Sequence, residues 1–368
     1  MPEVSFVNVT KKFGRVEALD RVSFEVRDGE YLCVLGPTGS GKTTLLKLMA
    51  GLLKPDAGTI YFNGRLVNNV GAQDRNAVYV PQQYALFPHL TVLQNVAFGP
   101  LARGKPASVA LDIAFKVLDL VRLSSRAQAL PNELSGGMQQ RVALARGLAS
   151  GAGLLLLDEP LGALDARLRL DLRHKIRDLV QQSGSTAIHV THDQDEAMSV
   201  ADEILVLRNG RIQDYGLPRR VYRRPASVFV ANMIGGASLL EGIVDTTVGE
   251  TALISVRGGL TVQAPSKNLT LTAPVILALR KERVRIARDR LEMENVFKGE
   301  IRGVRFLGNS NEYLIRIPNG DVLTSRLFAE REGGAFKVGD EVLAGFLEGD
   351  VMVFEYPPQG LAKELEIA

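Results

Sequence analysis

The residues with the clearest chemical capacity are Gly36-Pro37-Thr38-Gly39-Ser40-Gly41-Lys42-Thr43-Thr44. Glycines at 36, 39 and 41 permit a tight backbone path whose N–H groups converge on one spot. Lys42 brings a positive charge suited to β- and γ-phosphates, and the Thr43 hydroxyl suits Mg²⁺. A second segment, Leu154-Leu155-Leu156-Leu157-Asp158-Glu159, ends an apolar run in two carboxylates. Asp158 is then placed to hold Mg²⁺, and Glu159 to act as general base on a water attacking a γ-phosphate. A third segment, Leu134-Ser135-Gly136-Gly137, puts a serine and two glycines at a helix start, a second anion nest. One γ-phosphate has no evident need of two nests from a single subunit, and the residues alone leave that open.

These groups need elements to aim them. Tyr31–Leu35 reads as a buried strand and Thr44–Ala50 as a helix, so the first loop lies between a strand end and a helix N-terminus, where the helix dipole adds positive potential. The run 154–157 suits a central parallel strand covered on both faces, with its carboxylates at the ligand edge of the sheet. The helix after Gly137 carries Gln139, Gln140 and Arg141, then Val142, Ala145 and Leu148. Short strands are expected within 4–30, at 59–62 and at 77–80. Apolar spacing predicts an amphipathic helix over 108–121 and a long helix bearing Leu168, Leu172, Ile176 and Leu179, ended by Gly184. Alternating strands and helices predict a parallel sheet with crossover helices.

The pattern changes after about residue 235. Short strand-like runs recur between Gly258-Gly259, Asn319-Gly320-Asp321 and Gly349-Asp350, which predicts a small all-β barrel or sandwich. At 368 residues the chain is too long for one ordinary core, and its 46% apolar and 23% charged content is that of a soluble globular protein. The division expected is 1–235 and 236–368. A formal charge of +3 gives no pointer to nucleic acid. The densest basic stretch, Arg280–Arg290, is interrupted by Glu282 and Asp289; its alternation with Val284 and Ile286 predicts a half-buried strand with a solvated face. No stretch approaches the roughly 18 apolar residues that span a bilayer, and no export signal opens the chain, so a cytosolic location is expected. Cys33, the single cysteine, has no internal disulfide partner and is expected to be a buried thiol. Of the four histidines, none is spaced as a metal pair. His189 lies within a predicted strand as a core residue, His174 in a charged helix, and His192 at the sheet edge shared with Glu159.

In this order the segments resemble an ATP-binding cassette subunit, the ATPase of an ABC transporter. Residues 36–43 match its Walker A motif, Leu134–Gly137 its signature and Leu154–Glu159 its Walker B motif. Gln82, in Val80-Pro81-Gln82-Gln83-Tyr84-Ala85-Leu86-Phe87, matches the Q-loop glutamine. Leu164-Asp165 matches the D-loop and His192 the switch histidine. The resemblance covers about the first 235 residues. It implies an α/β P-loop ATPase domain with a helical subdomain at about 88–150. Residues Phe13, Gly36, Pro37, Thr38, Gly39, Ser40, Gly41, Lys42, Thr43 and Thr44 would bind ATP. Thr43, Gln82 and Asp158 would hold Mg²⁺, and Glu159, His192 and Gln82 would be catalytic. Two copies would pair head to tail, with Ser135, Gly136, Gly137 and Met138 of one closing over the ATP of the other, and Asp165 would be the D-loop aspartate. Met138 stands where the family usually has glutamine, and Phe13 where the adenine-stacking residue is often Tyr or Trp; Phe still offers a π-face.

Tyr222–Ser227 and the β-rich tail look like importer ATPases of the sugar, polyamine, iron and sulfate group, which carry a C-terminal OB-type (TOBE) domain. Phe306–Leu314 is most similar to the polyamine and ferric-iron branch, while Arg280-Lys281-Glu282 departs from the more usual Arg-Pro-Glu. Two membrane permease subunits, an extracytoplasmic solute-binding protein and a peripheral position on the cytoplasmic face of the inner membrane follow from that resemblance, with no nucleic-acid partner. The alternative is a soluble ABC ATPase of translation or DNA repair. Translation types usually carry two cassettes, and this chain has one Walker A; repair types carry a long coiled coil, and here only 83–133 lies between Gln82 and the signature. A P-loop kinase or GTPase is disfavoured by the signature and the Asp158-Glu159 pair. A non-catalytic binding module would be expected to lack Lys42 or Glu159.

Overall fold

Val4, Phe6 and Val9, buried together across a register shift after Phe6, anchor the first strand, β1 (Val4–Phe13), of a computed structural model that describes residues 2–266, 269–329 and 336–366. There follow β2 (Val16–Val26), β3 (Tyr31–Leu35), α1 (Lys42–Met49), β4 (Ala57–Phe62), β5 (Arg65–Leu66) and β6 (Ala77–Val80). Next come α2 (Val92–Ala102), α3 (Ala107–Leu120), α4 (Gly136–Ala149), β7 (Leu154–Asp158), α5 (Ala166–Ser183), β8 (Thr186–Val190), α6 (Gln194–Val200), β9 (Glu203–Arg208) and β10 (Arg211–Gly216). Contacts divide the chain between Val221 and Tyr222.

In the first unit six strands lie in the order β10-β9-β3-β8-β7-β6, parallel except for the β9–β10 hairpin. Every residue of β3, β7 and β8 is buried, as continuous apolar runs in a two-sided sheet require. A second, antiparallel sheet has the order β2-β1-β4-β5. Phe6, Phe24, Leu45, Met49, Leu156 and Leu205 belong to the core that these sheets and α1 share. Truncating Leu156, fully buried there, to alanine would cost about 2–5 kcal/mol. The helices α2, α3 and α4 pack on one another. Thr91 and Gln94 start α2 with reciprocal side-chain-to-backbone bonds of 3.2 and 2.9 Å. Gly184, at φ 67°, ends α5 as expected from its position after the apolar periodicity.

The second unit begins within α7 (Pro218–Arg223) and continues through α8 (Val228–Met233), β11 (Ser238–Val248), β12 (Thr251–Val256), β13 (Leu260–Pro265), β14 (Pro274–Leu279) and β15 (Arg285–Ala287). It closes with β16 (Asn295–Phe306), β17 (Ser310–Arg316), β18 (Val322–Phe328), β19 (Glu341–Phe346), β20 (Val351–Glu355) and α9 (Leu361–Leu365). Two five-stranded antiparallel sheets, β13-β12-β11-β14-β20 and β15-β19-β16-β17-β18, enclose a core that includes Ile254, Leu277, Ile301 and Phe346.

The basic stretch 280–290 differs from its sequence reading. Only Arg285–Ala287 forms a strand, and Arg280 is buried rather than part of a solvated face. Its guanidinium donates to the carbonyls of Tyr222, Ala231, Ile234 and Gly236 and lies 4.3 Å from the Tyr222 ring centre. A fork of donors meets carbonyls at the end of α7 and around the end of α8, which is the physical reason an arginine is buried here. It also explains why 222–235, before the change in sequence pattern, groups with the second unit.

Candidate functional site

The loop between β3 and α1 follows from close packing. A Cβ at Gly36 would lie 2.1 Å from the Leu207 carbonyl oxygen, and one at Gly41, which has φ 106°, would lie 2.3 Å from that of Ala18. Only glycine fits such an approach. Lys42 turns its ammonium back onto the loop, donating to the carbonyls of Gly36 at 2.8 Å and Pro37 at 2.6 Å. Burial pushes the Lys42 pKa down, opposed by the charges of Glu159 and Asp158. Ser40 Oγ is buried and has no hydrogen-bond partner. A converging backbone, an orphaned hydroxyl and a lysine held by carbonyls fit a phosphate group.

Beside the loop, Thr43 Oγ1 donates to Asp158 Oδ1 at 3.3 Å, and Tyr79 Oη donates to Asp158 Oδ2 at 2.8 Å. The pairing exists because β6, carrying Tyr79, lies parallel to β7. Burial first, and the Asp158 charge second, push the Tyr79 phenol well up, so it remains a donor. Two oxygen ligands, one of them a carboxylate, fit a hard cation that completes its shell with water and phosphate oxygens. Among the described residues no group of three His, Cys, Asp or Glu gathers as a metal site.

Glu159 follows β7 at φ 48°, a conformation that costs a non-glycine residue about 1–3 kcal/mol. Its N–H donates to Val190 O at 2.9 Å, and its carbonyl accepts from Gln140 Nε2 at 2.8 Å. The carboxylate is thereby aimed between two side chains. Gln82 Nε2 donates to Glu159 Oε2 at 3.0 Å, and His192 Nδ1 lies 3.4 Å from Glu159 Oε1. His192 is largely exposed, and so is Gln82, leaving room for a reactant on the solvent side.

The third predicted segment stands on α4. Ser135 caps that helix, accepting from Met138 N–H at 3.4 Å. A Cβ at Gly136 would meet Tyr84 Oη at 2.9 Å, so the turn is seated against the segment that follows Gln82. Asp165 caps α5 through Leu168 N–H at 2.9 Å. Phe13 is half exposed at the end of β1, with Lys11 Nζ 5.5 Å from its ring centre; it pairs with Val16, two residues from the Ala18 that Gly41 approaches. His189 lies in β8 in contact with Tyr31 Oη at 2.9 Å, while His174 is exposed. Cys33 is buried, and burial raises its thiol pKa well above the usual range.

Tyr79 and Gln140 were missed as site residues in the sequence. A tyrosine two positions before Pro81 gives no hint of its carboxylate partner until β6 is paired with β7. For Gln140 a signal existed: a polar residue among buried Val142, Ala143 and Leu144 needs internal partners.

Known proteins resemble this chain in both of its parts. The family model for the ABC transporter matches residues 19–162, and that for the TOBE domain matches 277–354. The chain is 40% identical over 342 residues to the spermidine/putrescine import ATP-binding protein PotA of Rubrobacter xylanophilus, covering 92% of this chain and 90% of the relative. It is 44% identical over 317 residues to the Fe(3+) ions import ATP-binding protein FbpC of Brucella abortus, covering 86% and 88%. The dimeric structure of a post-hydrolysis state of the ATP-binding cassette MJ0796, bound to ADP and Pi, is similar with a TM-score of 0.55 and 33% identity, over 59% of this chain and 99% of that one. The chain belongs to the ABC transporter family, as an ATP-hydrolysing import subunit.

Proposed function

We propose that two copies of this chain pair head to tail and clamp ATP between the phosphate loop of one and Ser135, Gly136 and Gly137 of the other. The backbone at 36–44 and Lys42 bind the phosphates, and Phe13 stacks on the base. Thr43 and Asp158, with Gln82, would hold Mg²⁺, which would supply positive charge against the phosphates. Glu159 takes the proton of the attacking water as its oxygen bonds to the γ-phosphorus and the bridging oxygen leaves with ADP. Gln82 and His192 hold the carboxylate and the water in line. Met138 leaves the nest functional, because the nest uses the Ser135 hydroxyl and backbone N–H groups. Asp165 fixes the start of α5 beside this junction.

The dimer drives a pair of permease subunits, and Tyr84–Phe87 is the surface that meets them. Asn95 shapes that surface, since its amide bonds both backbone groups of Phe87 and the carbonyls of Leu90 and Thr91. No helix among the described residues is long and apolar enough to cross a membrane, so attachment to the cytoplasmic face of the inner membrane runs through those subunits. An extracytoplasmic binding protein supplies the cargo. The named relatives import a polyamine and ferric iron, and a small solute of that class is the cargo proposed here.

The observation that carries this reading is the Glu159 carboxylate held between Gln82 and His192, on the same sheet edge as the Thr43–Asp158 pair. The test is Glu159→Gln, weighed by light scattering with Mg²⁺ and ATP. A stable ATP-dependent dimer with almost no phosphate release is expected. A monomer under those conditions, or turnover at the parent rate, would sink the proposal.

A further inference from the structure

Gln140 is a polar residue on the buried face of α4, only 4% exposed. Its side chain bridges two backbone groups of another segment. Nε2 donates to the Glu159 carbonyl at 2.8 Å, and Oε1 accepts from the Ala163 N–H at 2.8 Å. Between these anchors the chain runs Pro160-Leu161-Gly162, and Pro160 has no N–H with which to fix the turn. Within the turn, Gly162 N–H reaches the Glu159 carbonyl at 3.2 Å.

Glu159 in this turn has a left-handed backbone, at φ 48°. A glutamate keeps such a conformation only where its surroundings over-determine it. One constraint is the bond from Glu159 N–H to Val190 O in β8. The second, reaching across from α4, is the amide of Gln140. Rotation about the Glu159 N–Cα bond would carry the Glu159 carboxylate away from Gln82 and His192, and it would swing the Glu159 carbonyl off Gln140. The same helix turn also lies close against this segment, where a Cβ on Gly137 would lie 3.1 Å from Ala163 O.

We propose that Gln140 is a positioning residue for ATP hydrolysis: its side-chain amide spans Glu159 and Ala163 and fixes the direction in which Glu159 presents its carboxylate. The assignment rests on Glu159 being the general base. It makes the orientation of the base depend on how the first turns of α4 are seated.

Gln140→Met keeps the length of the side chain and removes both bonds. Its kcat for ATP is expected to fall about 10- to 100-fold, with the KM for ATP within about threefold of the parent. In a Glu159→Gln background the same change should leave the residual hydrolysis within about twofold, because its effect runs through Glu159. Parent-rate kcat in Gln140→Met overturns the proposal. So does a full-sized further loss in the Glu159→Gln background, the mark of a packing residue. Should the methionine variant not fold, Gln140→Glu enters the same cycle; it keeps the accepted bond and loses the donated one, and the same two results overturn the idea. Parent-rate hydrolysis by Glu159→Gln alone is a separate signature. It removes the base assignment and this proposal with it.

Discussion

Gln82 Nε2 donates to Glu159 Oε2 at 3.0 Å, joining the loop after β6 to the residue that follows β7. The two side chains come from segments 77 positions apart in sequence, and the parallel pairing of β6 with β7 brings them together. The bond points one carboxylate oxygen at the glutamine and leaves the other toward His192. Gln82→Ala removes the amide without touching the phosphate loop. Turnover should fall about 10- to 100-fold while ATP affinity stays near the parent value. Phosphate release and equilibrium binding of a labelled ATP analogue, measured side by side, check this; equal losses in both would mean that Gln82 serves binding.

Lys42 presents the opposite case. Its ammonium already bonds two loop carbonyls, so its charge is fixed where phosphates would lie. Lys42→Ala should weaken ATP binding by about 10-fold or more, since a charge-assisted bond contributes about 1.5–3 kcal/mol. Calorimetric titration with Mg²⁺ and ATP reads the change directly. Unchanged affinity would remove Lys42 from the phosphate site.

The parts of this site that were legible in the sequence are local. Strand, turn and helix around Gly36–Thr43 succeed one another within one short stretch, so spacing alone carries their geometry. The run Leu154–Asp158 was equally clear, because four buried leucines in a row admit few alternatives to a covered central strand. Tyr79 and Gln140 were not legible as site residues. Their partners, Asp158 and the Glu159 backbone, are reached only after strand order and helix seating are known. Arg280 misled for a related reason: alternation with Val284 and Ile286 imitates a half-exposed strand, while its true partners are carbonyls of residues 222–236. Periodicity reports which side chains avoid water; it does not report a buried cation that has found carbonyls.

A pH dependence follows from His189. The imidazole is fully buried in β8, and burial pushes its pKa below the ordinary value of about 6.5, against the opposing charges of Glu196 and Asp193. Tyr31 Oη lies 2.9 Å from Nδ1, and Glu196 Oε1 lies 3.4 Å from Nε2. The unfolded chain therefore binds a proton near pH 6.5 that the folded chain still refuses. Stability is fully present above about pH 6.5 and declines as pH falls, by at most about 1.4 kcal/mol per unit for this one group. His189→Gln should flatten that slope as pH falls below about 6.5. Urea unfolding at several pH values compares the two proteins, and identical slopes would place the acid sensitivity elsewhere.

Arg280 makes the last prediction. Four backbone carbonyls, of Tyr222, Ala231, Ile234 and Gly236, accept from its two terminal nitrogens, and Tyr222 packs against the guanidinium. Arg280→Met fills much of the same volume with no donor. The carbonyls then lose their partners in a buried place, at about 3–5 kcal/mol in all. The cost should fall on the second unit alone, where all four acceptors lie. Hydrogen exchange on the full chain separates the two units: faster exchange is expected across α8 and β14, with the amides of β3 and β7 unchanged. Uniform acceleration through both units would show that Arg280 stabilises the whole chain instead.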